Sequence, residues 1–126
     1  MGAFLWVGVG GALGSMARHG VNVVVNRWVG ATVPHATAIV NIVGCFVIGV
    51  LAGLVATGAW RISPAQRAFV FVGIMGGFTT FSSLGLDTFT LVSEGRTAQA
   101  VGNVALQFCV GLGAVFAGYA AATSMR

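Results

Sequence analysis

Four long apolar segments divide this chain of 126 residues, and short polar stretches separate them. A helix that crosses the hydrocarbon core of a bilayer needs about 20 mostly apolar residues. Charged residues make up 6% of the chain, against about 25% in a typical soluble domain. The sequence therefore predicts an all-α membrane protein, a single domain over residues 1–126 with four transmembrane helices. The expected spans are about Ala3–Val29, Ala36–Ala59, Ala68–Val92 and Thr97–Ser124.

Local patterns add detail to these spans. In the first span, the Gly10–Gly14 spacing permits close contact with another helix. In the fourth span, Asn103 and Gln107 stand at i and i+4 and are expected on one helical face. An interface loop is expected at Trp60–Arg67, and a tight turn at Ser93–Arg96.

The third segment contains the least regular part of the chain, Gly73–Thr88 (GIMGGFTTFSSLGLDT). Adjacent glycines, here Gly76 and Gly77, loosen a helix. Four hydroxyl side chains follow them: Thr79, Thr80, Ser82 and Ser83. Because hydrocarbon tolerates non-helical backbone only where protein or a water-filled cavity covers it, we expect a third helix broken at mid-membrane that forms an ion or substrate site. A kinked helix that packs on small residues is the alternative.

Polar side chains in the other spans are further candidates for this site. Asn41, with Gly44 on the same helical face, predicts either an interhelical hydrogen bond or a pore-lining donor. Arg18 predicts either a partner in a water-filled vestibule or an arginine that reaches the helix end. Counted along the helices at about 1.5 Å per residue, Asn41 lies level with the turn Leu84–Thr88, so that Asn41 and Asp87 would line one polar path.

The charges of the chain argue against some classes of function. The formal net charge is +4, but the six basic residues are single, scattered arginines. They form no basic stripe, so nucleic acid is not an expected partner. No nucleophile–base pair or metal-ligand cluster is recognisable, and an enzyme is the least favoured class.

Orientation in the membrane is not set by the arginines. With four spans, one side of the membrane receives Arg61, Arg67 and Arg126, and the other receives Arg27 and Arg96. Three against two is almost no bias, so the positive-inside rule favours neither orientation. A small protein without bias can insert both ways and pair with itself. We therefore expect an antiparallel dual-topology dimer.

Several short motifs resemble those of the Fluc (CrcB) family of fluoride channels. They are GSMAR at Gly14–Arg18, NIVG at Asn41–Gly44, GGFTTFS at Gly76–Ser82 and EGR at Glu94–Arg96. The resemblance covers the whole chain. It implies an antiparallel dual-topology dimer in the bacterial plasma (inner) membrane, with two narrow pores that lower cytoplasmic fluoride by passive efflux. It also implies a structural sodium ion at the dimer interface, held by the backbone carbonyls of Gly76 and Thr79.

The same resemblance implies roles for individual residues, and it reveals departures. Asn41 matches the family's pore asparagine, and Phe81 matches the first of two pore phenylalanines. In the family run TTFSTFS, this chain has Leu84 and Gly85 where the second phenylalanine and a serine stand. On the fourth span, the family's asparagine and glycine–serine pair are Gln107, Val110 and Gly111 here. The candidate pore residues are Asn41, Phe81, Ser82, Ser83, Leu84 and Gln107, and the structural ones are Arg18, Gly44 and Gly77.

The departure at Leu84 has an expected consequence. Fluoride is small and tightly hydrated, so a pore must replace its water with hydrogen-bond donors and the positive edges of aromatic rings. Leucine has no such edge, so we expect weak conduction by this chain alone and a gain from Leu84→Phe. Two alternatives remain. One is a divergent subunit of a heterodimeric channel, beside a paired homologous subunit. The other is a small dual-topology exporter of another substrate, although the first span lacks the acidic residue that small multidrug exporters need.

Overall fold

Helices form nearly all of the chain, as the sequence predicts. The computed structural model describes residues 2–30 and 34–124, and no strand occurs among them. The elements are α1 (Gly2–Val29), α2 (His35–Ala56), α3 (Pro64–Arg67), a π-helix (Ala68–Met75), α4 (Gly76–Phe78), α5 (Phe81–Ser93) and α6 (Thr97–Ser124). Arg126, one of the residues used to count charges on each side, lies outside the described residues.

Three helical segments of the described chain are long and apolar enough to cross a membrane: His35–Ala56, Pro64–Ser93 and Thr97–Ser124. They correspond to the second, third and fourth predicted spans, and the bounds of the fourth agree with the prediction at both ends. The first predicted span corresponds to α1, a helix of 28 residues, which is not among the three. An integral membrane protein is therefore supported by three helices, and the four-span count stays a prediction.

The third segment begins earlier than the sequence indicated. The predicted interface loop Trp60–Arg67 contains a helix start, because Ser63 caps α3. Ser63 Oγ accepts a hydrogen bond from Gln66 N–H at 3.2 Å, and Gln66 Oε1 accepts one from Ser63 N–H at 2.9 Å. Pro64 occupies the first turn, where its missing N–H does no harm. This Ser-x-x-Gln box was readable in the sequence and was missed.

The helix break lies elsewhere than predicted. Gly76 and Gly77 are helical in α4, and the extended residues are Thr79 (ψ 156°) and Thr80 (φ −153°). The expectation that the glycines themselves break the helix is therefore wrong. A side chain at Gly77 would meet the Gly11 carbonyl at 2.5 Å, so this glycine allows α1 to approach closely. The break instead follows from Thr80, whose hydroxyl caps α5 by accepting from Ser83 N–H.

Close backbone contacts hold α1 against the π-helix. A Cβ atom at Gly10 would collide with the Phe69 carbonyl, and one at Gly14 with the Ile74 carbonyl. Gly73 lies opposite Gly10 on the π-helix. The predicted close contact of the Gly10–Gly14 spacing is thus confirmed, and we refer to these residues with Gly11 and Gly77 as the glycine seam. The other long contact joins α2 and α6, and α5 also packs on α6.

Candidate functional site

Asn41 on α2 is bound to the backbone at the helix break. Its Nδ2 donates to the Thr80 carbonyl at 3.0 Å, and Thr80 N–H donates to Asn41 Oδ1 at 2.8 Å. In an unbroken helix, the same N–H would donate to the carbonyl of Gly76. Asn41 therefore supplies the donor and the acceptor that the break removes from the backbone ladder, and it fixes α2 to the start of α5.

The second amide hydrogen of Asn41 is also used. Asn41 Nδ2 donates to Gln107 Oε1 at 2.7 Å, and Gln107 Nε2 donates to Asn103 Oδ1 at 2.9 Å. Asn103 and Gln107 lie on one face of α6, as their spacing predicted. Gln107 is 6% exposed. A continuous series of hydrogen bonds therefore runs from the helix break through Asn41 on α2 to α6. Of the two roles that the sequence allowed for Asn41, the interhelical hydrogen bond is observed.

Three hydroxyl groups gather at the N-terminus of α5. Thr80 Oγ1 lies 3.1 Å from Ser82 Oγ, and it donates to Ser83 Oγ at 3.1 Å. It also accepts from Ser83 N–H at 3.2 Å. A helix N-terminus carries partial positive charge. Hydroxyl groups are rotatable donors that suit a small anion, and they lie beside the Asn41 amide, whose two hydrogens are bonded to Thr80 and Gln107.

An open groove of about 800 Å³ runs beside this break. Most of the predicted site residues line it: Asn41, Gly44, Gly76, Thr79, Phe81, Leu84 and Gln107. Its walls come from α2, α6 and the broken third segment, and its surface is mainly apolar. The groove thus brings together residues that lie far apart in the sequence, around a few polar groups. A mainly apolar groove with a few convergent polar groups is typical of a small-molecule site.

Two phenylalanine rings meet at the groove. The centroids of Phe81 and Phe108 are 6.5 Å apart, and the ring planes are at 85°, an edge-to-face contact. Phe81 is 75% exposed and Phe108 is 57% exposed. Phe108 was not among the residues predicted from the sequence. Its position directly after Gln107 was the available signal, but its nearness to Phe81 depends on the packing of α5 against α6.

Leu84 differs from these rings in its exposure. It borders the groove, yet only 5% of its surface is exposed. Leu84 follows Thr80 by one helical turn, and Asn41 is bonded to Thr80. This corrects the depth of Asn41 that was inferred from the sequence. Asn41 lies level with Thr80 rather than with the turn Leu84–Thr88, an error of one turn.

Asp87 does not line the groove, and within residues 2–30 and 34–124 its buried Oδ2 atom has no hydrogen-bond partner.

Gly44 allows α2 to pass close to the break. A Cβ atom there would collide with the Thr79 methyl group. That methyl cannot turn away freely, because the Thr79 hydroxyl donates to the Met75 carbonyl at 2.9 Å. By contrast, a side chain at Gly76 would meet no atom within 4 Å. Gly44 is thus a packing residue, and Gly76 faces open space at the groove.

The remaining predicted residues lie beside the groove or away from it. Ser82 and Ser83 contact the Thr80 hydroxyl but do not line the groove, and Gly77 faces α1. Arg18 is half-buried on α1. In the part of the chain that the structure describes, no hydrogen bond or ion pair of Arg18 is found, so its expected partner is not identified.

The chain is similar to proteins of one family along most of its length. A family model described as CrcB-like protein, Camphor Resistance (CrcB), matches residues 5–119. A protein of Rhodospirillum centenum named "Fluoride-specific ion channel FluC" is 46% identical over 120 residues, covering 95% of this chain and 94% of the relative. Proteins of the same name from Nitrobacter winogradskyi and Opitutus terrae are 42% and 40% identical, covering 90% and 100% of this chain and 90% and 96% of the relatives.

Proposed function

Since this chain belongs to the CrcB-like family, whose model matches residues 5–119, we propose that it is a fluoride-specific ion channel of the membrane. Relatives at 40–46% identity over nearly the whole chain carry that name. The chain is accordingly a transport protein rather than an enzyme, as expected from the sequence. The proposed flow is passive efflux, which lowers fluoride in the cytoplasm of a bacterium across its plasma (inner) membrane.

The observation that carries this proposal is the position of Asn41 in the groove. Its amide joins the helix break to Gln107 through hydrogen bonds. Thr80, which carries a hydroxyl, and the aromatic Phe81 line the same groove. A dehydrated fluoride ion needs donors and positive ring edges close together. Here both kinds of group are held on rigid helices at one level of the protein.

We propose further that the working unit is an antiparallel dimer, formed by two copies or by this chain and a paired homologous subunit. The groove is open along one side, and the Phe81 ring is 75% exposed in the single chain. A second subunit laid over this side would close the groove into a pore. If α1 also spans the membrane, two oppositely inserted copies can contact each other through the same face of each subunit.

A structural sodium ion at the dimer interface is part of the same proposal. The Thr80 N–H is bonded to Asn41 rather than to the Gly76 carbonyl, which leaves that carbonyl available to a cation. Gly76 faces open space, and Thr79 is extended beside it. Carbonyl oxygens at unwound helix positions are typical ligands of a bound Na⁺. The carbonyls of Gly76 and Thr79 are the proposed ligands.

The experiment that tests the function uses liposomes that contain only this protein. After loading with potassium fluoride and addition of valinomycin, external fluoride is followed with a fluoride electrode. We expect efflux above that of protein-free liposomes, and none when chloride replaces fluoride and a chloride electrode is used. Absence of fluoride efflux would overturn the homodimeric channel. Restoration by a co-purified second subunit would then support the heterodimer.

A further inference from the structure

We propose that Phe108 is the second aromatic residue of the anion path, and that it acts by orienting the ring of Phe81. This inference rests on the proposed fluoride function. The family resemblance places a second pore phenylalanine on α5, where this chain has Leu84. The present inference assigns the second aromatic residue to α6 instead. Phe108 is thus a positioning residue for Phe81 rather than a further donor.

The geometry of the two rings supports this role. At 85° between planes and 6.5 Å between centroids, the positive edge of one ring meets the negative face of the other. Such a contact holds the plane of Phe81 at a fixed angle. Without it, a ring that is 75% exposed would be free to rotate about its χ angles. The contact therefore decides which way the edge of Phe81 points within the groove.

The surroundings of Phe108 fix its own position. It directly follows Gln107, whose side chain is buried and bonded to both Asn41 and Asn103. Phe108 also lines the same groove as Asn41 and Phe81. Leu84 cannot supply this ring contact, because it is aliphatic and only 5% exposed. Phe71 also lines the groove, but among the described residues only Phe108 is in edge-to-face contact with Phe81.

A double-mutant cycle tests the pairing of the two rings. The variants are Phe81→Leu, Phe108→Leu and the double variant, with Phe116→Leu as the control. Phe116 is 68% exposed on the same helix but does not line the groove. The readouts are the fluoride efflux rate and the ratio of fluoride to chloride efflux, both from liposomes. Phe108→Tyr, which keeps the ring, serves as the rescue, and Phe108→Met replaces Phe108→Leu if the latter does not purify.

We expect Phe108→Leu to slow fluoride efflux by about 2- to 12-fold, the range that an edge-to-face pair provides, and to lower the fluoride-to-chloride ratio. In the double variant the loss should be no greater than in Phe81→Leu, and Phe108→Tyr should conduct like the parent. Equal efflux rates and equal fluoride-to-chloride ratios in Phe108→Leu and Phe116→Leu would overturn the pairing of the two rings but not the channel function. The same holds if the fold-losses of the two single variants multiply in the double variant. Absence of efflux from the parent would overturn the channel function and, with it, this inference.

Discussion

Asn41 Nδ2 and Gln107 Oε1 are 2.7 Å apart, and this bond takes one of the two hydrogens of the Asn41 amide. The other hydrogen is bonded to the Thr80 carbonyl. An anion that is to receive a hydrogen bond from Asn41 must therefore displace one of these acceptors. Thr80 is bonded twice, through its N–H and its carbonyl, so the side chain of Gln107 is the partner that can be exchanged. Gln107 consequently competes with the anion for this donor.

We expect Gln107→Met to increase fluoride efflux. Methionine fills a similar volume but offers no strong acceptor, so one Asn41 hydrogen becomes free. Because a net hydrogen bond is worth about 0.5–1.5 kcal/mol, the gain should be about 2- to 12-fold, as measured with a fluoride electrode. Gln99→Met is the control, since Gln99 is exposed at the start of the same helix and bonds to Arg96. A loss of efflux in Gln107→Met would show that Gln107 is needed to hold Asn41.

Asn41→Asp should abolish fluoride efflux. An ionised carboxylate can still accept from Thr80 N–H, but it has no hydrogen to donate to the Thr80 carbonyl or to Gln107. It also places a negative charge beside the path of an anion. Asn26→Asp is the matched control, because Asn26 is exposed near the end of α1. Efflux equal to that of the parent would mean that Asn41 does not contact the ion.

Gly44→Ala should lower the thermal stability of the protein in detergent. The added methyl group collides with the Thr79 methyl, which the Thr79–Met75 hydrogen bond holds in place. Overpacking of this kind costs about 1–3 kcal/mol. Adding Thr79→Ser removes the colliding methyl and should restore most of the melting temperature. Gly85→Ala is the control, since a side chain there meets no atom within 4 Å. Failure of the second substitution to rescue would contradict this account.

Leu84→Phe should not increase fluoride efflux, although the sequence alone suggested a gain. Leu84 is 5% exposed, so a larger ring must displace its neighbours, at a cost of about 1–3 kcal/mol. We expect a lower melting temperature and unchanged or slower efflux. Phe81→Ile provides the comparison: Phe81 is exposed at the groove, so efflux should fall while the melting temperature changes little. Faster efflux in Leu84→Phe would restore the original interpretation.

Features set by local sequence were predicted well. The long apolar run and the Ser93–Arg96 turn gave both ends of α6, and the turn occurs as expected, with Gly95 at φ +74°. The Gly10–Gly14 spacing predicted a close helix contact because that spacing repeats on one helical face. These features depend on residues near one another in the chain. Asn41 and Phe81 also belong to short local motifs, and their roles in a pore stay predictions.

Features that depend on packing were missed or misplaced. The Gly76–Gly77 pair suggested the break, but the contact of Gly77 with Gly11 keeps these residues helical. No local pattern marked the π-helix Ala68–Met75, a rare conformation that is frequent near functional sites. Phe108 escaped notice because its importance arises only where α5 packs on α6. The bond between Asn41 and Gln107 likewise joins residues that no sequence spacing connects.

The glycine seam also bears on how the protein is made. α1 precedes α2 and the π-helix in the chain and is therefore synthesised before them. Its close contacts are with Phe69, Gly73 and Ile74, which are synthesised only after the whole of α2. In the proposed four-span arrangement, α1 therefore emerges before the segment whose backbone it contacts closely.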